Sequence, residues 1–215
     1  MKRWLGPASL VTVALLGPGC ALLSKSDSVY VRYFTPEVRD RSETAVAPNA
    51  AANNLYVRLG RVNALSYIKD RIAFREADEI GFHDLWQWTE KPESYLRRGM
   101  EHALFEEHAV HQIISGPGPT LELELDAFDE LPGPRRVARV QVTWLLHDGR
   151  NVLVQKTVTV DHLVSGATDA KAPEPLVSAM SVALADVIAE IVAGITPELS
   201  RVAAQSAVAE TVGSP

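Results

Sequence analysis

The sequence predicts a single α+β domain, a mainly antiparallel sheet with two principal helices packed on one face. Three observations carry that expectation. Residues 121–160 alternate apolar and polar side chains through three successive strands, the rhythm of a sheet with one wet face. The stretches after Pro92 and after Pro173 instead space their apolar residues three and four apart, as a helix lying on a core does. The chain has 215 residues and is 47% hydrophobic, which allows one real core and argues against bulk disorder.

Ahead of the domain stands a secretion-like start. Met1-Lys2-Arg3 is positive, Trp4 to Leu16 is mostly apolar, and Gly17-Pro18-Gly19 then leads into Cys20, the only cysteine. Charge, apolar run and small-residue cleavage site in that order make a signal peptide. The run is too short to span a bilayer, which takes about 20 residues. A cysteine directly after the site predicts a bacterial lipoprotein, cleaved before Cys20 and acylated on its sulfur and new N-terminus. Lipoprotein cleavage boxes usually carry Leu three residues before the cysteine; here Gly17 stands there, with Leu16 one place earlier. Ordinary secretion with an incidental thiol is the plainer alternative. A lone cysteine forms no intramolecular disulfide, however, so an anchor explains it better. Ala21 follows rather than Asp, which in the familiar sorting scheme permits export to the outer membrane. The expected organisation is therefore residues 1–19 as signal peptide, 20–27 as lipidated tether, 28–196 as the folded domain and 197–215 as an Ala-rich tail.

Along the domain, Ser28 to Thr35 alternates and is rich in Val and Tyr, predicting a first strand. Pro36 to Asn54 has no periodic apolar pattern and reads as a loop. Leu55, Val57 and Leu59 mark a second strand, residues 71–75 a third, and residues 79–83 a shorter fourth. A helix follows from Pro92, where the missing N–H costs nothing, with Leu96, Met100, Ala103 and Leu104 on one side. Ser115-Gly116-Pro117-Gly118-Pro119 ends it. Three strands of a meander come next, with Asp148-Gly149 as a hairpin turn. Last is a long helix from Pro173 or Pro175, striped by Leu176, Met180, Leu184, Val187, Ile188, Ile191 and Ile195. Gly194 to Pro197 is expected to interrupt it.

Composition narrows the function. The chain carries a net charge of −6, and loss of Lys2 and Arg3 makes the remainder more acidic still. Nucleic acid binding wants a clustered basic surface, so it is excluded. Catalysis finds little support either. No Gly-x-Ser-x-Gly elbow occurs, and the prolines in Gly116-Pro117-Gly118 deny a phosphate loop the N–H groups it needs. Glu107 and His111 would share a helical face with His108 in reach, yet zinc needs three or four converging ligands. Asp148 is explained by turn geometry, and the acids of 121–126 by a wet strand face. The expectation is a non-enzyme without cofactor or metal.

The stretch Phe82 to Glu90 is harder to dismiss, because Trp86 and Trp88 stand two residues apart just before a helix. Exposed tryptophan makes a good interface anchor, while packing as a lid on the core is the bland reading of Trp88.

Taken together, the chain resembles the ABC-type transport auxiliary lipoproteins, the family of the paraquat-inducible lipoprotein C kind, over roughly residues 20–196. The carriers are Cys20, the strand Val29-Tyr30-Val31-Arg32-Tyr33-Phe34, and Leu55-Tyr56-Val57-Arg58-Leu59-Gly60-Arg61-Val62. Tyr67-Ile68, Arg71-Ile72-Ala73-Phe74-Arg75 and Trp88-Thr89-Glu90 follow in order. The family often has proline just before its Tyr-Leu pair, where this chain has Leu65-Ser66. The resemblance implies a subunit anchored by its lipid at the periplasmic side of the outer membrane. Its expected partner is an MCE-domain protein of a lipid transport system. On that view Leu65, Tyr67, Ile68, Trp86 and Trp88 are expected to meet the partner. Two other readings stay open. The sheet and long helix could part to hold a phospholipid acyl chain, or the tail from Glu198 to Glu210 could pair helices in a homo-oligomer.

Overall fold

The computed structural model describes residues 30–37, 54–165 and 172–212, with side chains through Ser206. The expected signal peptide, Cys20, the tether and most of the 36–54 loop lie outside the described residues. Ten elements in the order β1 (Arg32–Phe34), β2 (Tyr56–Ala64), β3 (Arg71–Glu76), β4 (Glu79–Trp88), α1 (Pro92–Glu101), β5 (His111–Gln112), β6 (Thr120–Leu131), β7 (Val137–His147), β8 (Val152–Leu163) and α2 (Glu174–Val212) build it. A wider π-type turn, His102–Glu107, extends α1.

The sheet is organised around β6. On one side β7 and then β8 form the antiparallel meander that the alternation predicts. Its first turn of chemistry is as expected: Asp148 Oδ1 accepts the backbone N–H groups of Arg150 and Asn151 at 2.8 and 2.7 Å, and Gly149 takes φ 90°. On the other side β6 carries β2 along its first half and β3 along its second, both parallel. Strand β4 runs antiparallel to β3, β1 is parallel to β4, and β5 is parallel to β2. The sheet is thus mixed, less antiparallel than the sequence predicts. Parallel neighbours need a crossover, and between β3 and its parallel neighbour β6 the chain returns through β4, α1 and the π-type turn. Side-chain alternation reports which face is buried, not which way a neighbour runs.

The helices share one face of this sheet. Leu121, Leu123 and Leu125 of β6 and Val140, Val142, Trp144 and Leu146 of β7 are buried beneath them. From α1 come Tyr95, Leu96 and Met100, and from α2 the whole stripe Leu176 to Ile195. Helix α2 is apolar and long enough to cross a membrane; its apolar stripe is instead core, packed on β7 and β8.

Two expectations need correction. The helix at α2 is not interrupted at Gly194 to Pro197 but continues through Pro197 into the expected tail. Pro197 removes one helical N–H, and Ile195 and Leu199, buried on either side of it, hold both halves on the core. Thr196 Oγ1 also donates to the Val192 carbonyl at 2.7 Å. The fourth strand, in turn, runs on to Trp88 rather than stopping near His83.

Candidate functional site

The five residues expected to meet a partner come from two places, the β2–β3 connection and the end of β4. Strand β2 leaves β6 at the pair Ala64–Leu125, and β3 joins it only at Ala73–Asp129. Between them the backbone of β6 has no strand neighbour on that side, and the connection 65–70 fills the gap. Leu65 N–H donates to the Leu125 carbonyl at 3.0 Å, and Tyr67 Oη donates to the Asp126 carbonyl at 2.9 Å. Trp88 N–H donates to the Asp70 carbonyl, closing the connection against β4. A polar backbone left facing nothing would be costly, and Tyr67 and Leu65 supply its partners.

This bonding leaves one apolar side chain outward. Ile68 is buried beneath the connection, Tyr67 is partly buried, and Leu65 is 40% exposed. The result is a pinned loop presenting a leucine.

Tyr67 belongs to a charged array on the face away from the helices. Arg75 Nη2 donates to Tyr67 Oη at 2.9 Å, and Arg75 Nε donates to Asp129 Oδ2 at 2.8 Å. Asp129 stands opposite Arg139 in the register, and Arg139 grips Asp161 of β8 with two 2.7 Å bonds. Burial, with Asp129 nearby, pushes the Tyr67 hydroxyl up to about 12. It is therefore a donor throughout the physiological range.

On the helix side, Trp86 stacks on His83 with ring centroids 4.0 Å apart. His83 Nε2 donates to Glu130 Oε2 at 2.8 Å, and Arg136 pairs with the same carboxylate. Arg136 also donates to the Ala172 carbonyl at 2.8 Å, just before α2. Trp88, 1% exposed, lies deeper, edge-on to Tyr95 and Phe128. The five residues are therefore not one surface. Ile68 and Trp88 are core and shape the site from beneath; Tyr67 and Trp86 lie on opposite faces; Leu65 stands at the edge between them.

A feature the sequence reading missed lies at the other end of the sheet. An open groove of about 660 Å³ runs between residues 112–119 and the last third of α2, lined by Tyr56, Ile113, Pro117, Leu199 and Val202 among others. Ile114 on its rim is 89% exposed. The signal was an apolar pair, Ile113-Ile114, placed directly before a Gly-Pro turn rather than inside an element. The histidines nearby do not make a metal site. The helical turn ends at Glu107 and His111 sits in β5, stacked on Tyr56, so the i, i+4 face with Glu107 does not form. No three acidic, histidine or cysteine side chains converge on a metal position among the described residues.

A mixed sheet with two helices on one face and a pinned loop is what comparison with known proteins has to account for. The family model of the ABC-type transport auxiliary lipoprotein component matches residues 40–192. The chain belongs to that family. Solved structures share its fold. A Xanthomonas campestris protein of the DUF330 family is 19% identical, with 81% of this chain and 99% of that one covered at a TM-score of 0.66. An uncharacterised protein is 12% identical, with 78% and 99% covered at a TM-score of 0.60. No curated relative matches. Membership makes this an auxiliary lipoprotein component of an ABC-type transport system, and the pinned 65–70 connection is part of the auxiliary domain's matched span.

Proposed function

We propose that the protein is a non-catalytic docking subunit of an MCE-type lipid transport system. Acylated on Cys20, it sits at the periplasmic side of the outer membrane and meets the periplasmic MCE-domain component. The observation that carries this reading is the family match across residues 40–192. Leu65 is the contact residue best supported by geometry, because its loop is fixed by backbone bonds on both sides and binding would order little more. Trp86 and Tyr67 flank it on the two faces, and Ile68 and Trp88 support them. Purification of the tagged full-length protein from envelope membranes under crosslinking tests the role. An MCE-domain protein in the eluate supports it, and its absence counts against it.

A second reading is favoured by the groove. The stripe from Leu176 to Ile195 is packed core, so the sheet and α2 do not part there. An acyl chain of a phospholipid would instead lie against Leu199 and Val202. Mass spectrometry of lipid extracted from the purified protein separates the two. Crosslinks joining only copies of this chain would favour a homo-oligomeric scaffold built through the α2 tail.

A further inference from the structure

Of the large apolar side chains left exposed, four gather at one corner of the sheet. They are Tyr30 and Tyr33, 70% and 63% exposed, with Val31 and Leu85. Strand β1 pairs with β4 in the register Arg32–Trp86, Tyr33–Gln87 and Phe34–Trp88. Continued one residue back, it brings Val31 level with Leu85. Phe34, Trp86 and Trp88 pack inward on the core, so Val31, Tyr33 and Leu85 point to the other face. Among the described residues they stay exposed.

We propose that this corner rests in the headgroup layer of the membrane that holds the lipid on Cys20. The proposal rests on the anchoring part of the function above and not on docking. Three observations support it. The first is reach. Ten residue steps separate Cys20 from Tyr30, at most about 35 Å fully extended. Helix α2 begins beside β1, where Arg32 pairs with Glu174. The groove at Leu199 lies 25 residues along it from Glu174, about 38 Å at the helical rise. The tether can lay the β1 corner on the bilayer in any slack state, whereas even drawn taut it falls just short of the span from β1 to the groove.

The second is side-chain chemistry. Tyrosine has an apolar ring and a polar tip, and it concentrates at the level of lipid headgroups for that reason. The third is charge. Arg71, level with Gln87 on the same outer face, lies over the Phe82 ring at 4.7 Å and is half exposed, with Asp84 at 3.6 Å. Asp84 takes only one side of the Arg71 guanidinium fork, whose remaining N–H groups are free to meet a lipid phosphate. Together these give the domain a membrane pole at β1 and a distal pole at the groove, which would point into the periplasm.

The test uses the full-length acylated protein in vesicles of phosphatidylethanolamine and phosphatidylglycerol with shallowly brominated acyl chains. Acylation consumes Cys20, so a cysteine placed at Val31 or at Ile114 is the only thiol to carry a fluorophore. Flotation with the vesicles is recorded for every sample. The expected result is loss of emission from the label at 31 and unchanged emission at 114. Adding Tyr30→Ser and Tyr33→Ser to the V31C protein should restore emission at 31 while flotation persists. Equal quenching at both positions, or more at 114, overturns the orientation. Quenching at 31 that survives the two serines overturns the role of the tyrosines. Failure to float overturns the anchor and the proposal together, whatever the outcome of partner crosslinking.

Discussion

Arg75 Nε donates to Asp129 Oδ2 at 2.8 Å, and this bond ties β3 to β6 where the two strands share only two paired residues. Asp129 is fully buried and its Oδ1 has no hydrogen-bond partner. Burial pushes its carboxyl up, and Arg75 works in the other direction. The same guanidinium holds Tyr67, so one side chain secures both the strand and the loop that presents Leu65.

Removing Arg75 should therefore hurt more than neutralising Asp129. Arg75→Met leaves a buried carboxylate without its cation, a loss of about 3–5 kcal/mol. Asp129→Asn keeps an acceptor for Arg75 and should cost much less. Urea unfolding of both variants checks this, and equal losses would mean the pair is not asymmetric in the way argued.

Glu130 makes an acid-limb prediction. Burial pushes its carboxyl up, but hydrogen bonds from His83 and Arg136 outweigh this and hold it below the usual value near 4.5. A depressed carboxylate contributes stability that is present above its unfolded value and is lost as pH falls through the folded one. Glu130→Gln should lower the urea midpoint at neutral pH, with the difference from wild type shrinking once pH falls below about 4.5. A difference that stays constant across that range would show that Glu130 does not titrate differently on folding.

Gly194 offers a test of packing against propensity. Alanine in place of glycine normally favours a helix by about 1 kcal/mol. Here an added Cβ would meet Trp144 Cζ2 at 2.9 Å, and Trp144 is buried on β7 with little room to move. Gly194→Ala should be net destabilising, since overpacking costs about 1–3 kcal/mol. A rise in melting temperature would show that Trp144 yields.

The two tryptophans should separate stability from binding. Trp88→Ala removes a fully buried ring and should cost about 3–5 kcal/mol. Trp86→Ala removes a half-buried ring that stacks on His83 and packs on the edge of the core, so it should cost clearly less than Trp88→Ala and lower partner crosslinking. If Trp86→Ala unfolds as early as Trp88→Ala, Trp86 is core and not contact.

Much of this fold was legible because period-two and period-3.6 patterns survive in the buried elements. Leu121 to Leu125 and Leu176 to Ile195 face the core as their spacing says. Strand direction was not legible: β2 and β3 look like any half-buried strands, and only the return through β4 and α1 makes them parallel to β6. Pro197 misled for a physical reason, since local propensity yields where Ile195 and Leu199 bury on both sides. For the candidate site, the aromatic composition singled out residues 82–90. It could not tell Trp86 from Trp88, because the two share one strand face and differ only in depth, Trp88 meeting Tyr95 and Phe128 and Trp86 the shallower His83.

The measurement that bears most directly on the docking account is site-specific photocrosslinking from Leu65 in the full-length protein, in native envelope membranes. A crosslinker at Gln155, exposed on β8, serves as control. The account predicts a crosslink from position 65 to an MCE-domain protein and none from position 155. Position 65 yielding only copies of this chain, or no protein partner, would contradict it.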